Sequence, residues 1–276
     1  MIPPELAPLG PRYAALYERA VAVLSADPRV RAVWLGGSVA RGVADAGSDL
    51  DLIVAVRDED LASFREGWRG WLDAIAPTIL ARPMPDFLHS VTATCERLDV
   101  VHEPVSALAE TAFRHRLPVH DPDGLNAAVP PPPAPKQPDP QRLHDVAEEF
   151  LRQQSIFPVA VVARADWLLG VVGVQQAQLM LYEAFAESNQ PLPPMGVKQW
   201  TAKLTPEQRA VLTGLRVPQP EREDLVAAMR QTAAAWREHG RAAVERAGGT
   251  WPVALDEAVA AFWRRELPES PETAGG

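Results

Sequence analysis

The chain has 276 residues, 47% hydrophobic and 23% charged, a balance that suits a globular protein with room for two cores. Its net charge of −9 argues against an extended nucleic-acid footprint, which needs a basic face, but leaves a small cationic ligand open. Cys95 is the only cysteine, which excludes a disulfide framework and a cysteine-ligated zinc site.

Residues 1–5 lack the basic and apolar regions of a secretory leader, and no apolar run is long enough to span a bilayer, so a cytoplasmic protein without membrane contact is expected. Residues 12–24 read as a helix, and 30–35 and 50–56 as strands. Residues 61–75 read as one helix, with Trp68, Trp71, Leu72 and Ile75 at helical spacing. Residues 90–101 read as one long strand and 117–120 as a short one, before the turn signal Asp121-Pro-Asp-Gly. The proline-rich stretch 129–140 forbids helix and central strand and is expected to be an extended linker. Beyond it strand signals nearly vanish. Residues 143–154, 159–187, 206–215, 222–247 and 252–267 read as helices, with Pro158 breaking or starting one of them and 189–196 forming a loop. The expectation is an α+β chain: a small mixed-sheet domain over 1–128, a linker over 129–140, an all-α bundle over 141–267 and a frayed tail over 268–276.

The chemistry concentrates between Gly36 and Val54. Gly37 and Gly42 have the spacing of a Walker A loop, but Val43 stands where lysine is required, and Gly36-Gly37-Ser38 does not supply a dinucleotide fingerprint. The aspartates suggest another device. On a strand, Asp49, Asp51 and Ile53 share one face while Leu50, Leu52 and Val54 share the other. Two buried carboxylates are costly unless a cation pairs with them. At a spacing of roughly 6.6 Å they can converge on one hard cation such as magnesium, whose shell is completed by water and phosphate oxygens. Gly37 and Ser38 follow a strand and precede an expected helix over 39–43, where backbone N–H groups and the hydroxyl can hold phosphate.

Gly37-Ser38, ten intervening residues and then Asp49-Leu50-Asp51-Leu52 resemble the signature of the DNA polymerase β-type nucleotidyltransferase superfamily. The form Gly-Gly-Ser-x-Ala-Arg-Gly followed by Ser-Asp-Leu-Asp-Leu is similar to its small stand-alone members, the aminoglycoside and lincosamide nucleotidyltransferases, which attach AMP to an antibiotic hydroxyl. The close match spans about twenty residues. The resemblance implies a third carboxylate on a later strand, best matched by Asp99 in Cys-Glu-Arg-Leu-Asp-Val-Val, whose simpler roles are to end the strand or pair with Arg97; Glu96 and Glu103 fit less well. It further implies two Mg2+ ions held by Asp49, Asp51 and Asp99, with ATP or another nucleoside triphosphate as co-substrate. A hydroxyl of a small acceptor would attack the α-phosphate and release pyrophosphate. Asp99 can also serve as general base, with Glu148, Glu149 and Asp166 as alternatives.

Other candidates are read against simpler roles. Arg41 contacts a phosphate or pairs with Asp45 or Asp49, and Ser48 binds nucleotide or caps the turn into the strand. Lys198 is one of only three lysines, in Gly-Val-Lys-Gln-Trp; the resemblance implies that it reaches the triphosphate, and its simpler role is an ordinary exposed lysine. Arg164, Asp166 and Trp167 face a cationic acceptor, or Trp167 belongs to the core and the charges to a solvated face. The histidines, His89 among them, show no metal-ligand spacing and read as surface or satisfied groups, and Trp200, Trp236, Trp251 and Trp263 as helix-packing residues. Two other functions remain in view: an adenylyltransferase directed at a partner protein, and a non-catalytic nucleotide-binding module. A nucleic-acid enzyme is disfavoured by charge.

Overall fold

The structure is a computed structural model that describes residues 2–268. The expected tail therefore lies, from 269 onward, outside the described residues. The chain divides into two units. The first comprises Met1–Ala134 and Pro193–Lys198, and the second Pro135–Leu192 and Gln199–Gly276.

In the first unit, helix α1 (Pro11–Ala26) leads to strand β1 (Val30–Leu35), the one-turn helix α2 (Gly37–Ala40) and strand β2 (Leu50–Val56). Helices α3 (Leu61–Glu66) and α4 (Trp68–Ile75) follow, then strands β3 (Thr78–Pro83), β4 (Phe87–Thr92), β5 (Arg97–Pro104) and β6 (Leu117–His120). The six strands form one sheet in the order β3-β4-β5-β2-β1-β6. Every neighbouring pair is antiparallel except β2 and β5, which run parallel. One face packs on α1 and α4: Leu50, Leu52, Val54 and Val56 meet Leu98, Val100, Leu16, Leu24 and Leu72, all but fully buried. Burying each such side chain contributes about 1.5–3 kcal/mol, which makes this face the anchor of the strand register. The other face carries Trp34, Ile53, Ala55 and Leu108.

Two sequence expectations are corrected here. Residues 90–101 are not one strand but the end of β4, a turn and the start of β5. The buried Glu96 carboxylate collects the hydroxyls of Thr92 (2.5 Å) and Thr94, and Thr92 Oγ1 accepts from the Glu96 N–H (3.1 Å). Cys95 takes a left-handed conformation (φ 68°) to close the reversal. Residues 61–75 are two helices, because the chain bends at Gly67, whose N–H caps back onto Ser63 O (3.0 Å).

Among its described residues the second unit is helical. Helix α5 (Pro140–Phe157) is capped by Asp139, which accepts from the N–H groups of Gln141 and Arg142. Helix α6 (Trp167–Ser188) is followed by α7 (Pro206–Thr213), α8 (Arg222–Ala235), α9 (Arg241–Arg246) and α10 (Val253–Glu266). A π-turn over Trp236–Gly240 joins α8 to α9. The helix expected over 159–187 starts only at Trp167. Pro158 opens a π-turn instead, Ala165 reverses the chain at φ 51°, and Asp166 caps the new helix through Leu169 N–H (3.1 Å).

Ring stacking of Phe150 on Trp236 (4.7 Å) and Phe157 on Trp263 (5.5 Å) centres this core. The indole N–H groups of Trp236 and Trp263 donate to the carbonyls of Ala177 and Gln154, so neither is buried unsatisfied. Trp200 departs from the expected packing role: it is 52% exposed and stacks on Tyr182. A mixed sheet followed by helices is the α+β arrangement the sequence predicts. Among the described residues no helix is long and apolar enough to cross a membrane.

Candidate functional site

The site grows from the end of β1. Gly36 donates its N–H to Asp51 O (2.9 Å), which ties the turn after β1 to the first residues of β2. Gly37 has φ 56°, and a Cβ built there would lie 1.7 Å from Asp51 Oδ2. Only glycine satisfies both the left-handed backbone and the close approach of the carboxylate. Helix α2 has four residues and starts at Gly37, shorter than the helix expected over 39–43, so its backbone N–H groups rather than a summed dipole are what it offers an anion. Ser38 is 7% exposed, and its buried Oγ has no hydrogen-bond partner. Such a hydroxyl costs about 1–3 kcal/mol unless a ligand satisfies it.

Asp51 and Asp99 are direct register partners across the parallel β2–β5 pair, so their side chains leave the same face of the sheet about 4.8 Å apart. Burial first, then the charges of Asp49 and Asp99, push the Asp51 carboxyl up from 3.8 to about 6, against the pull of Arg41 and Lys198. Asp49 behaves oppositely. Burial acts to raise it, but the hydrogen bond and charge of Lys198, a backbone hydrogen bond and Arg97 outweigh that and hold it below the ordinary carboxylate value. Lys198 Nζ donates to Asp49 Oδ2 at 2.7 Å, and Arg97 Nε stands 3.9 Å from the same oxygen. Lys198 belongs to Pro193–Lys198, a segment that joins the first unit although the chain on both sides of it is in the second.

The remaining candidates separate into two groups. Arg41 sits at the C-terminal end of α2 and lowers Asp51 by its charge. Ser48 is committed to its turn: its Oγ accepts from Asp45 N–H and donates to Asp45 Oδ1, both at 3.0 Å. In the second unit, Asp166 is the helix cap described above. Glu149 is gripped by Arg152 (2.6 and 2.7 Å) and Gln153, which bring it down to about 2, too weak a base to take a hydroxyl proton. Glu148 lies 3.4 Å from His144. Arg164 is exposed, and Trp167 packs partly buried on the helical core.

Two residues near the carboxylates differ from the sequence reading, which took His89 as a surface or satisfied group and Arg97 at most as a partner of Asp99. His89 donates from Nδ1 to Asp99 Oδ2 at 2.8 Å. Arg97 approaches Asp49, donates to Gly47 O (2.7 Å), and anchors its own N–H on Tyr13 Oη (3.1 Å). What gives His89 its partner is the reversal at 93–96, which no local residue announces. Read as one strand, that stretch leaves His89 without a neighbour; read as a hairpin, it sets His89 directly opposite Asp99.

Among the described residues no three His, Cys, Asp or Glu side chains already form a closed metal-ligand set. Asp49 is turned to Lys198 and Asp99 to His89. The donors nevertheless suit a hard divalent cation. They are carboxylate oxygens, and the burial and, after it, the repulsion from Asp49 and Asp99 that raise Asp51 are what a cation would offset. The orphaned Ser38 hydroxyl and the glycine-only approach at Gly37 suit a phosphate oxygen beside it.

Comparison with known proteins follows this geometry. Residues 18–83 match the family described as nucleotidyltransferase domain. No curated protein matches the chain. Among solved structures, the chain is similar to an aminoglycoside 6-adenyltransferase from Bacillus subtilis, at 15% identity and a TM-score of 0.45 over 92% of this chain and 97% of that one. The stretch similar to a nucleotidyltransferase domain, residues 18–83, holds the Gly37–Ser38 turn and both aspartates of the β2 region.

Proposed function

We propose that the protein transfers a nucleoside monophosphate, AMP from ATP, to a hydroxyl of a small cationic acceptor of the aminoglycoside or lincosamide kind, with release of pyrophosphate. The observation that carries this reading is the in-register pair Asp51 and Asp99 beside the Gly37–Ser38 turn. Asp49, Asp51 and Asp99 would hold divalent cations, with Mg2+ the natural choice for oxygen donors that leave room for phosphate. When bound, the ions would neutralise charge on the phosphates and make the attacking hydroxyl more acidic.

The chain's own residues do the rest. Gly37 and Ser38 bind triphosphate oxygens through the backbone N–H groups and the hydroxyl. Arg41 and Lys198 add positive charge beside them, and Lys198 exchanges Asp49 for a phosphate as the nucleotide enters. Asp99 accepts the proton of the acceptor hydroxyl. The net charge of −9 favours a polycationic acceptor, and we assign acceptor choice to the helical residues 141–267.

Incubation with labelled ATP, Mg2+ and a panel of aminoglycosides and lincosamides tests the reading. Label on an antibiotic supports it. Label on an added protein instead would overturn the acceptor class, and no transfer to any acceptor would overturn the reaction.

A further inference from the structure

Strands β4, β5 and β2 are adjacent, and their register sets three side chains in one row. His89 lies opposite Asp99, and Asp99 opposite Asp51. Register partners point to the same face, so the row crosses the sheet on the side of the Gly37–Ser38 turn. Within it, His89 Nδ1 and Asp99 Oδ2 are 2.8 Å apart. A carboxylate only accepts, so Nδ1 carries the proton and fixes the imidazole tautomer. The ring is itself held: it packs edge-on against Phe87 at 4.6 Å, two residues earlier on the same face of β4. Asp99 thus has one oxygen engaged by an oriented donor.

We propose that His89 is the positioning residue for Asp99, using its Nδ1–H to fix the carboxylate so that the second oxygen would be left free to hold a divalent cation together with Asp51. This deepens the nucleotidyl-transfer reading and rests on it. An aspartate on a strand has two free torsions, and a carboxylate that must ligate and accept a proton works best when neither is free to wander. Outer-shell hydrogen bonds of this kind are worth 10–100-fold in metal affinity or activity. The histidine, which its sequence context marks as an ordinary surface residue, is on this view part of the machinery at one remove. It touches neither nucleotide nor acceptor.

The test uses the full chain with Mn2+ and a non-hydrolysable ATP analogue, Mn2+ binding being read by electron paramagnetic resonance, alongside kcat and KM for transfer. His89→Ala and His89→Gln are expected to lose about 10–100-fold in Mn2+ affinity, with kcat falling by a similar factor and the acceptor KM little changed. His89→Asn places an amide N–H where Nδ1 stood, and is expected to recover to within about threefold of the wild type. Circular dichroism confirms folding of each variant. Wild-type Mn2+ affinity in His89→Ala would overturn the proposal, and so would an Asn variant as impaired as the Ala variant, since donation to Asp99 would then not be what matters. A wild-type protein that neither binds Mn2+ nor transfers nucleotide would overturn the functional reading itself, and this inference with it.

Discussion

Replacing Asp51 by Asn should make the protein more stable and inactive together. The folded state raises the Asp51 carboxyl from 3.8 to about 6, because it is buried and faces Asp49 and Asp99. A folded-state value above the unfolded one means the native protein binds this proton more tightly, so stability from this group is full below about pH 4 and is lost as pH rises to about 6. About two units at ~1.4 kcal/mol each make the ionised group cost about 3 kcal/mol at pH 7.5. Asn keeps the shape against Gly37 but carries no charge. Urea denaturation in EDTA should therefore show Asp51→Asn more stable by about 2–3 kcal/mol at pH 7.5, with the gap closing to about 1 kcal/mol at pH 4.5. Transfer should fall on the order of 1,000-fold. Added Mg2+ should raise the melting temperature of the wild type and not of the variant. A variant less stable than the wild type at pH 7.5, or a gap that ignores pH, would refute the charge argument.

Four further outcomes follow from the same geometry. Ser38→Ala removes a buried hydroxyl that has no partner, so the ligand-free protein should hold or gain about 1 kcal/mol by thermal denaturation while KM for ATP rises severalfold. Gly37→Ala forces a Cβ into Asp51 at a positive φ and should cost about 2–4 kcal/mol, with transfer lost in any folded fraction. Lys198→Met removes the cation paired with Asp49, so Mn2+ binding without nucleotide should tighten up to ~10-fold while KM for ATP increases, both read by titration. In the helical unit, Gly170→Ala pushes a methyl to 2.7 Å from Leu225 and 2.8 Å from Val161, and calorimetry should show a loss of about 1–3 kcal/mol.

How much of this was legible depends on where each signal resides. The alternation around Asp51 could be read directly, because a period of two puts Leu50, Leu52 and Val54 in the core without reference to any other strand. The hairpin at 93–96 could not. Its turn contains no glycine, proline or asparagine, and its left-handed residue is Cys95, so nothing in the local composition announces a reversal. The bend at Gly67 was marked by its glycine but masked by helical spacing that continues across it. Asp99 was found through family likeness. That it stands level with Asp51 is a fact of inter-strand register, which no single stretch contains. His89 was read as a surface group and Arg97 as a partner of Asp99 for the same reason: their partners are distant in sequence.

The one parallel pairing in an otherwise antiparallel sheet has a consequence for how the site can fail. Asp51 and Asp99 are level only because β2 and β5 start from the same end and are clamped in step by Leu50, Leu52, Leu98 and Val100 beneath them. A slip of one residue in either strand would move a carboxylate by about 3.3 Å and turn it to the opposite side. The greasy residues under the sheet therefore act as the gauge that sets the spacing of the charged ones above it. Damage to that gauge should surface as lost chemistry before it surfaces as lost folding.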